Sequence, residues 1–228
     1  MANRSDAPSL TRDDRSLVRR AVILAAGKGN RLLPLTADLP KCMVEVGGEP
    51  LLERALHALA SHGVTEAVIV IGYEGRVIRE RIGSCFAGVD IVYVDAPDFE
   101  TTNNIRSLWD ARDYLDRDIL LIEADVVFDP GVVAALLREP GSSAAVAPDG
   151  PALSGTVVRR DDHDRVTSFI LGADQGPGFD SSDAFKTVNI YLLREQLLRD
   201  RLVPHLCSVI EAGHSDRYYE TILADSVA

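Results

Sequence analysis

The apolar residues of this chain come mostly in short continuous runs, separated by stretches in which apolar residues return every three or four positions. The runs RAVILA at residues 20–25 and EAVIVIGY at 66–73 are typical of strands buried on both faces. Residues 50–62 place leucines and alanines on one helical face, which indicates a helix that packs on such a sheet. The alternation predicts an α/β fold, with a mostly parallel central sheet flanked by helices.

The same pattern continues to the end of the chain. It predicts helices at residues 75–83, 104–115, 131–139, 194–212 and 216–226, and strands at 90–95, 118–125, 154–160, 165–171 and 185–193. The last three strands lie close together in sequence, which favours antiparallel pairs in a small extension of the sheet. Residues 172–183 are rich in glycine and acidic side chains and predict a mobile loop.

The composition suits one globular domain. The 228 residues are 46% hydrophobic and 26% charged, and we expect a single domain over residues 19–228. Residues 1–18 are polar and charged, lack the apolar segment of a signal peptide, and predict a disordered tail. No apolar run reaches the roughly 18 residues that a membrane span needs.

Charge and cysteine content limit the partners and the cellular location that can be expected for this chain. The net charge of −11 argues against nucleic acid as the main partner, so any bound anion must be held by local cations and backbone N–H groups. The three cysteines show neither metal-ligand nor disulfide spacing, which predicts a reducing, cytoplasmic location.

The first predicted strand ends in AAGKGNR, at residues 25–31, on the sheet edge where parallel sheets bind ligands. Gly27 and Gly29 let the backbone approach a ligand closely, and successive N–H groups in such a turn bind anions. Lys28 and Arg31 add positive charge, and an arginine can grip a phosphate with two N–H groups. The alternative is a tight turn with solvated cations. Neither the dinucleotide-binding pattern GxGxxG nor the P-loop pattern GxxxxGK[ST] is present.

The longer string AVILAAGKGNRLLPLTADLPKCMVEVGGEPLLERAL resembles the signature of nucleotidyltransferases that join a nucleoside triphosphate to a phosphorylated acceptor. That signature is approximately L-A-A-G-x-G-x-R-L, then P, then P-K-x-L/M-x-x-x-x-x-P-L-L. Every fixed position is present here: Leu24, Ala25, Ala26, Gly27, Gly29, Arg31, Leu32, Pro34, Pro40, Lys41, Met43, Pro50 and Leu51. The resemblance implies the fold of the nucleotide-diphospho-sugar transferases, which is Rossmann-like.

The resemblance also implies roles for the loop. It assigns nucleotide binding to Leu24, Ala26, Gly27, Lys28 and Gly29, with the loop wrapped around the triphosphate. It assigns catalytic roles to Arg31 and Lys41, of which Lys41 reaches the acceptor phosphate and the α-phosphate under attack.

The segment ETTNNIRSLWDA, at residues 100–111, is a second candidate for a part of the binding site. It reads as the start of a helix capped by Thr102 or Asn103. It is also similar to the NN-x-x-SL stretch of the phosphocholine cytidylyltransferase branch, whereas sugar-phosphate pyrophosphorylases carry a segment based on Gln and Gly. Because an amide offers a donor and an acceptor together, the resemblance implies that Asn103 and Asn104 bind the base of the nucleotide.

The fourth long strand ends in LLIEAD, which places Asp125 at the same sheet edge. Mg²⁺ prefers one or two carboxylates together with phosphate oxygens and water. The resemblance implies that Asp125 binds Mg²⁺, with Glu123 behind it. The alternative is that Asp125 is a structural cap.

Two later segments resemble the acceptor side of the same branch. FKTVNIYLL implies that Lys186 lies near the acceptor, and the alternative is an exposed strand lysine. DRYYETIL implies that Tyr218, Tyr219 and Glu220 line the acceptor pocket, since aromatic faces and a carboxylate suit an ammonium group. The alternative is a helical stripe of Tyr and Leu packed in the core.

The reaction implied is the transfer of a nucleotidyl group to a phosphorylated acceptor, with release of pyrophosphate and with Mg²⁺ as the cofactor. The branch points to CTP and to phosphocholine or a similar amino-alcohol phosphate or phosphonate. The alternatives are a sugar-1-phosphate nucleotidyltransferase and a nucleotide-binding regulator without catalysis. In the family, a strand and a motif close to W-x-E-I-D follow the YYExxL helix and supply a second metal-binding carboxylate. Here Asp225 is the late acidic candidate, and we expect a domain without the family's final strand that binds nucleotide but turns over weakly.

Overall fold

A computed structural model of the protein describes residues 18–148 and 155–227. The predicted tail therefore lies outside the described residues, apart from its last residue. Val18 is buried and packs in the hydrophobic core, so this residue belongs to the domain rather than to the predicted tail.

Strands and helices alternate through the first half of the chain. The strands are β1 (Arg20–Ala25), β2 (Glu45–Val46), β3 (Glu49–Pro50), β4 (Glu66–Ile71), β5 (Cys85–Phe86), β6 (Val89–Asp95), β7 (Ile119–Glu123), β8 (Ser143–Pro148), β9 (Val157–Arg160), β10 (Val166–Ile170) and β11 (Phe185–Leu193). The helices are α1 (Leu51–Ser61), α2 (Gly75–Ile82), α3 (Asn104–Asp110), α4 (Gly131–Arg138), α5 (Glu195–Leu197), α6 (Val203–Glu211) and α7 (Glu220–Val227), with a π-helical segment at Leu198–Leu202. None of the helices in the described part of the chain is long and apolar enough to cross a membrane.

Nine of the described strands form one sheet. Its order is β10–β9–β11–β7–β1–β4–β6–β5, and β8 pairs with β11 beside this path. The central strands β7, β1, β4 and β6 are parallel, whereas β5, β8, β9, β10 and β11 pair antiparallel with their neighbours. The predicted α/β fold, with a parallel centre and an antiparallel extension, is confirmed.

The core lies on both faces of the sheet. Along β1 every residue is buried, with Ile23 in the layer under α1, α2 and α4 and Val22 in the layer under α3, α6 and α7. A strand covered on both sides has no polar face, so its sequence is a continuous apolar run rather than an alternation.

Several element boundaries differ from the prediction. The strands β2, β3, β5 and β8 were not predicted, and the helix expected at 216–226 begins only at Glu220. The helix expected at 104–115 ends at Asp110 and is followed by a 3₁₀ turn at Arg112–Tyr114.

Strand β11 changes partners along its length, which shapes the end of the sheet near β7. Phe185 and Lys186 pair with β9, whereas Ile190 and the residues after it pair with β7. Between these two parts, Asn189 has a φ of 58°, and the register with β8 shifts at this point. A left-handed residue inside a strand is a local distortion, and such distortions are frequent next to functional sites.

Candidate active site

A cavity of about 390 Å³ opens at the carboxyl ends of β1 and β7. Its walls come from the loop after β1, the turn at Lys41, the start of α3, the end of β7 and the segment before α7. The lining residues are Leu24, Ala25, Ala26, Gly27, Gly29, Asn30, Arg31, Lys41, Cys42, Phe99, Thr102, Asn103, Asn104, Ser107, Glu123, Ala124, Asp125 and Tyr218. This is the edge at which open α/β sheets bind ligands.

The glycine loop after β1 forms one wall of the cavity. Gly29 has a φ of 67°, and a Cβ on it would lie 2.8 Å from Lys41 Cβ. The Thr36 hydroxyl donates a hydrogen bond to the Gly29 carbonyl at 3.0 Å and fixes the turn. By contrast, a Cβ on Gly27 would meet no atom within 4 Å. The loop therefore presents open backbone at Gly27, where a ligand can approach closely.

Asp125 lies opposite this loop because β7 is the parallel neighbour of β1. Glu123 pairs with Leu24 in the sheet register, and the Ala124 N–H donates to the Leu24 carbonyl at 3.0 Å. Asp125 follows directly and forms an ion pair with Lys41. Residues 84 positions apart in sequence thus meet at the cavity, with both side chains partly exposed to it.

Two further cations lie near the loop. Lys28 forms an ion pair with Glu100, with 2.5 Å between Nζ and Oε1, and its ammonium lies 5.8 Å from the centre of the Tyr73 ring and 5.9 Å from that of Phe99. Arg31 is exposed and lines the cavity. Basic side chains that could contact an anion therefore lie together here, with Arg31 and Lys41 in the cavity lining and Lys28 at its edge.

Cys42 also lines the cavity but is not a nucleophile. Burial raises the pKa of its thiol to about 12, so the thiol is neutral at physiological pH. A thiol reacts as the thiolate, and this side chain instead packs in the hydrophobic core.

The two asparagines at the start of α3 have different surroundings. The Asn103 side chain caps the helix, because its Oδ1 accepts a hydrogen bond from the Asn104 N–H at 2.8 Å. The Asn104 Nδ2 donates to Glu123 Oε1 at 2.9 Å, and its Oδ1 accepts from the Tyr219 N–H at 2.9 Å. Asn104 therefore joins the end of β7 to the start of α7.

Two carboxyl groups lie close together beneath this asparagine. Desolvation, followed by repulsion from Glu220 and Asp125, raises the pKa of Glu123 to about 7. Desolvation also raises the pKa of Glu220, whereas hydrogen bonding from its own backbone N–H, hydrogen bonding from Asn104 and the positive charge of Lys186 lower it. Glu220 is 5% exposed, and its Oε2 accepts no hydrogen bond among the described residues. The group is a buried acidic pair adjacent to the cavity.

Most of the predicted nucleotide, catalytic and metal residues line the cavity: Leu24, Ala26, Gly27, Gly29, Arg31, Lys41, Asn103, Asn104 and Asp125. Lys28 lies at the edge of the cavity, because its ammonium is 5.9 Å from the centre of the ring of Phe99, which is a lining residue. Their roles in binding and catalysis stay predictions.

The predicted acceptor residues are less directly placed. Tyr218 is 55% exposed and lines the cavity, but Tyr219 is fully buried and packs edge-on against Tyr191, with ring centroids 6.0 Å apart. Glu220 is buried behind Asn104. Lys186 donates to the carbonyls of Thr156 and Thr187, at 3.2 and 2.8 Å, and does not line the cavity. Any contact of Tyr219, Glu220 or Lys186 with an acceptor is therefore indirect in this conformation.

Sequence reasoning missed several residues of the site. Phe99 lines the cavity after β6, and Thr36 and Tyr73 brace the glycine loop. Phe99 and Tyr73 each follow the carboxyl end of a parallel strand, and that position is the signal that was available. Asp225, the late acidic candidate, lies on α7, where it forms an ion pair with His205 at 3.3 Å and does not line the cavity.

The nucleotidyl transferase family matches residues 20–170. A CMP-5'-(3-aminopropyl)phosphonate synthase of Streptomyces rubellomurinus is 43% identical over 211 residues, which are 92% of this chain and 33% of that protein. A UTP–glucose-1-phosphate uridylyltransferase of Haloferax volcanii is 38% identical over 128 residues, which are 55% of this chain and 52% of that protein. The chain thus spans about a third of the length of the synthase and about half of the length of the uridylyltransferase.

A solved structure supports the same fold. The CTP:phosphocholine cytidylyltransferase of Streptococcus pneumoniae superposes with a TM-score of 0.71 over 91% of this chain and 85% of that one, at 22% identity. The family match covers more than half of the chain and includes the glycine loop, Lys41 and Asp125. This chain therefore belongs to the nucleotidyl transferase family.

Proposed function

We propose that this protein transfers a cytidylyl group from CTP to a small phosphonate or phosphate that carries an ammonium group, and releases pyrophosphate. The observation that carries the proposal is the arrangement at the cavity, where an open glycine backbone faces the pair of Lys41 and Asp125. Open backbone N–H groups and a lysine suit a triphosphate, and a carboxylate beside them suits a metal that binds phosphate oxygens.

The chemistry requires positioning and charge neutralisation more than proton transfer. An oxygen of the acceptor phosphonate attacks the α-phosphorus of CTP in line, and the bond from that phosphorus to the oxygen bridging to the β-phosphate breaks. The attacking oxygen is already ionised at neutral pH, so no general base is needed. Lys41 and Arg31 stabilise the negative charge around the α-phosphorus, and the backbone at Gly27 holds the departing pyrophosphate.

The residues at the cavity fit a magnesium ion that is shared with the nucleotide. Asp125 lies at the cavity with its carboxylate partly exposed. Among the described residues, no group of three or more histidine, cysteine or acidic side chains is placed to hold a metal by itself. One carboxylate with several triphosphate oxygens is a normal Mg²⁺ site. When bound, the ion would neutralise charge on the triphosphate, and Asp125 would hold it.

The choice of CTP rests on two supports. The relative that aligns with 92% of this chain is named as the synthase of a CMP-linked phosphonate. Asn103, at the cavity wall, offers an amide that suits the edge of a pyrimidine. A pocket that hydrogen-bonds a pyrimidine leaves its polar groups unpaired against a purine, so discrimination against ATP and GTP follows.

The acceptor class rests on the acidic pair and on Tyr218. The carboxyl group of Glu123 and the exposed ring of Tyr218 line the cavity, and Glu220 is buried beside Glu123. A carboxylate and an aromatic face attract an ammonium group. The aminopropylphosphonate in the name of the relative has such a group. We propose aminoalkyl phosphonates and phosphocholine-like phosphates as the acceptors.

A sugar-1-phosphate acceptor is the second candidate, favoured by the similarity to the uridylyltransferase of Haloferax volcanii. A sugar offers hydroxyl groups rather than a cation, so it would leave the acidic pair uncompensated. We also propose that the protein acts in the cytoplasm, because its three free cysteines suit a reducing compartment.

Pyrophosphate release tests the proposal. The protein is assayed with each of the four nucleoside triphosphates against aminopropylphosphonate, aminoethylphosphonate, phosphocholine and glucose-1-phosphate, in Mg²⁺ and in EDTA. We expect turnover with CTP and the cationic acceptors, and its loss in EDTA. A preference for UTP with glucose-1-phosphate would favour the second candidate, and tight nucleotide binding without turnover would favour a regulator.

A further inference from the structure

The Asn104 side chain connects three parts of the site. Its Nδ2 donates to Glu123 at the end of β7, and its Oδ1 accepts from the Tyr219 N–H just before α7, both at 2.9 Å. Hydrogen bonding from Asn104 also lowers the pKa of Glu220. The amide therefore has its oxygen and its nitrogen committed to the chain, on the side of the acidic pair.

These contacts separate Asn104 from its neighbour. Asn103 has its oxygen on the Asn104 N–H and lies where α3 begins, whereas the Asn104 amide contacts β7 and α7. An amide that is already bonded at both ends is poorly suited to read a base, because reading the base requires breaking a bond to a buried partner.

We propose that Asn104 is a positioning residue for the acceptor: it holds Glu123 and Glu220 side by side and so sets the affinity for a cationic acceptor without reading the base. The inference rests on the proposed function, and it assigns the two asparagines to opposite sides of the reaction. Glu123, which lines the cavity, rather than Asn104, attracts the ammonium group of the acceptor, and the buried Glu220 acts indirectly through its position beside Glu123.

The physical reason is the repulsion between two carboxylates in a partly dry environment. Like charges repel strongly where water is excluded, and they separate unless donors hold them. An amide nitrogen carries two hydrogens and no charge, so it can donate to both carboxylates without neutralising either. A cation that binds beside the pair favours the ionised form of both carboxyl groups. Glu220 is also fixed from its own side, since the residue before it donates to Asn104.

The substitution Asn104→Asp tests this with little change in shape. Asp keeps an oxygen for the Tyr219 N–H but presents a second carboxylate oxygen to Glu123 in place of a donor. We expect the affinity for the acceptor aminopropylphosphonate, measured by calorimetry and from steady-state kinetics, to fall by about 10-fold or more, as for the loss of a hydrogen bond to a charged group. The Kd of CTP, measured by calorimetry, should stay within about 2-fold because the base does not contact this amide.

The matched variant is Asn103→Asp. Asp caps a helix as well as Asn does, so α3 stays intact while the amide at the cavity is lost. We expect the opposite pattern, with weaker binding of CTP and unchanged binding of aminopropylphosphonate. A rise in the Kd of CTP for Asn104→Asp, with unchanged acceptor affinity, overturns the inference and makes Asn104 a base-reading residue.

A double variant separates positioning from general damage. Asn104→Asp with Glu123→Gln restores the hydrogen bond with donor and acceptor exchanged, and we expect it to recover acceptor affinity at least in part. No recovery relative to the single variant contradicts the inference. Should Asn104→Asp fail to fold, Glu123→Gln alone carries the same expected defect in acceptor affinity, and normal affinity in that variant also overturns the inference.

The design also separates failure of the inference from failure of the proposed function. One outcome is that the wild-type protein neither binds aminopropylphosphonate nor releases pyrophosphate with any substrate pair. That outcome contradicts the proposed function and, with it, the role of Asn104 in acceptor binding. Wild-type protein that turns over while Asn104→Asp changes CTP affinity alone contradicts only the role of Asn104.

Discussion

Gly27 and Gly29 belong to the same loop but have different reasons to be glycine. Gly29 needs a left-handed backbone and packs against the Lys41 side chain, so its role is to build the turn. Gly27 faces open space, and no atom of the described chain explains the absence of a side chain there. We propose that the close approach of a triphosphate explains it.

Alanine at each position separates the two roles. Gly27→Ala should fold with unchanged stability, because its Cβ meets nothing in the chain, but its Kd for CTP should rise by about 10-fold through steric contact with the triphosphate. Gly29→Ala should lose about 1–2 kcal/mol of folding free energy from the left-handed conformation alone. Thermal unfolding and calorimetric titration with CTP measure both effects. Normal CTP affinity in Gly27→Ala would show that the triphosphate does not pass over this residue.

In the proposed reaction Lys41 lies beside the α-phosphorus, so we expect its loss to slow catalysis more than it weakens binding. Its ammonium pairs with Asp125 at the cavity, in position to stabilise charge on the transferring phosphoryl group. We expect Lys41→Ala to lower kcat by roughly 10²–10³, with the Kd of CTP changed by only a few-fold. Lys28→Ala is the comparison, because Lys28 is paired with Glu100 at the cavity edge and should affect CTP affinity more than kcat. A Lys41→Ala variant with normal kcat and weak CTP binding would reverse these assignments.

Glu220 is expected to reduce the stability of the free protein at neutral pH. Desolvation raises its pKa above 4.5, so the folded chain holds the proton more tightly than the unfolded chain. Stability therefore falls as pH rises from about 4.5 through the raised pKa, and the loss persists above it. Glu220→Gln stays neutral, so we expect its melting temperature to exceed that of the wild type at pH 8 and the gain to shrink towards pH 5. Calorimetric melting at both pH values tests this, and a gain that does not depend on pH would point to a packing effect.

At the scale of elements, the hydrophobic pattern predicts every described strand of four or more residues except β8, and it misses the two-residue strands. The runs at β1, β4 and β7 are unambiguous because helices cover both of their faces. Strand β8 contains no fully buried residue and consists largely of alanine, which has a low strand propensity, so neither signal was present. The strands β2, β3 and β5 have two residues each, too few to show any periodicity.

The start of α7 shows a different limit. The pattern DRYYETIL favours a helix from residue 216, but the helix begins at Glu220. The Tyr219 N–H donates to Asn104, which is 115 positions away in sequence. A contact of that range is set by the sheet order and leaves no local signal, which is also why the acidic pair was not predicted.

A substitution at Gly72 tests how tightly the end of β4 packs against the loop after β1. A Cβ on Gly72 would lie 2.7 Å from the Ala26 carbonyl oxygen and 2.7 Å from Phe99 Cγ. The backbone carbonyl has little freedom to move, so we expect Gly72→Ala to cost about 1–3 kcal/mol in stability and to weaken CTP binding. Gly141→Ala is the control, since a Cβ there meets nothing within 4 Å. Denaturant unfolding compares the two, and equal stability would mean that the β4 end and the glycine loop are not rigidly packed.

At the scale of the whole molecule, the location of the site follows from the sheet order. Because β7 and β1 are parallel neighbours, their carboxyl ends bring the glycine loop, Lys41 and Asp125 to one edge, and this juxtaposition was predictable from the strand pattern with the family signature. The proposed acceptor side depends on β7, α3 and the start of α7, which meet through the contacts of Asn104. Those contacts join residues that are far apart in the chain. Candidate residues could therefore be predicted from the sequence, but the way in which Asn104, Glu123 and Glu220 are arranged could not.

The central claim is that this cavity forms a bond between the α-phosphorus of CTP and the phosphonate oxygen of a cationic acceptor. Phosphorus NMR of the protein with CTP, aminopropylphosphonate and Mg²⁺ observes that bond directly. We predict paired new resonances from a phosphonate–phosphate anhydride, growing together with pyrophosphate and nearly abolished in Lys41→Ala. CTP and acceptor signals that remain unchanged with wild-type protein, under conditions where calorimetry shows both ligands bound, would contradict the account.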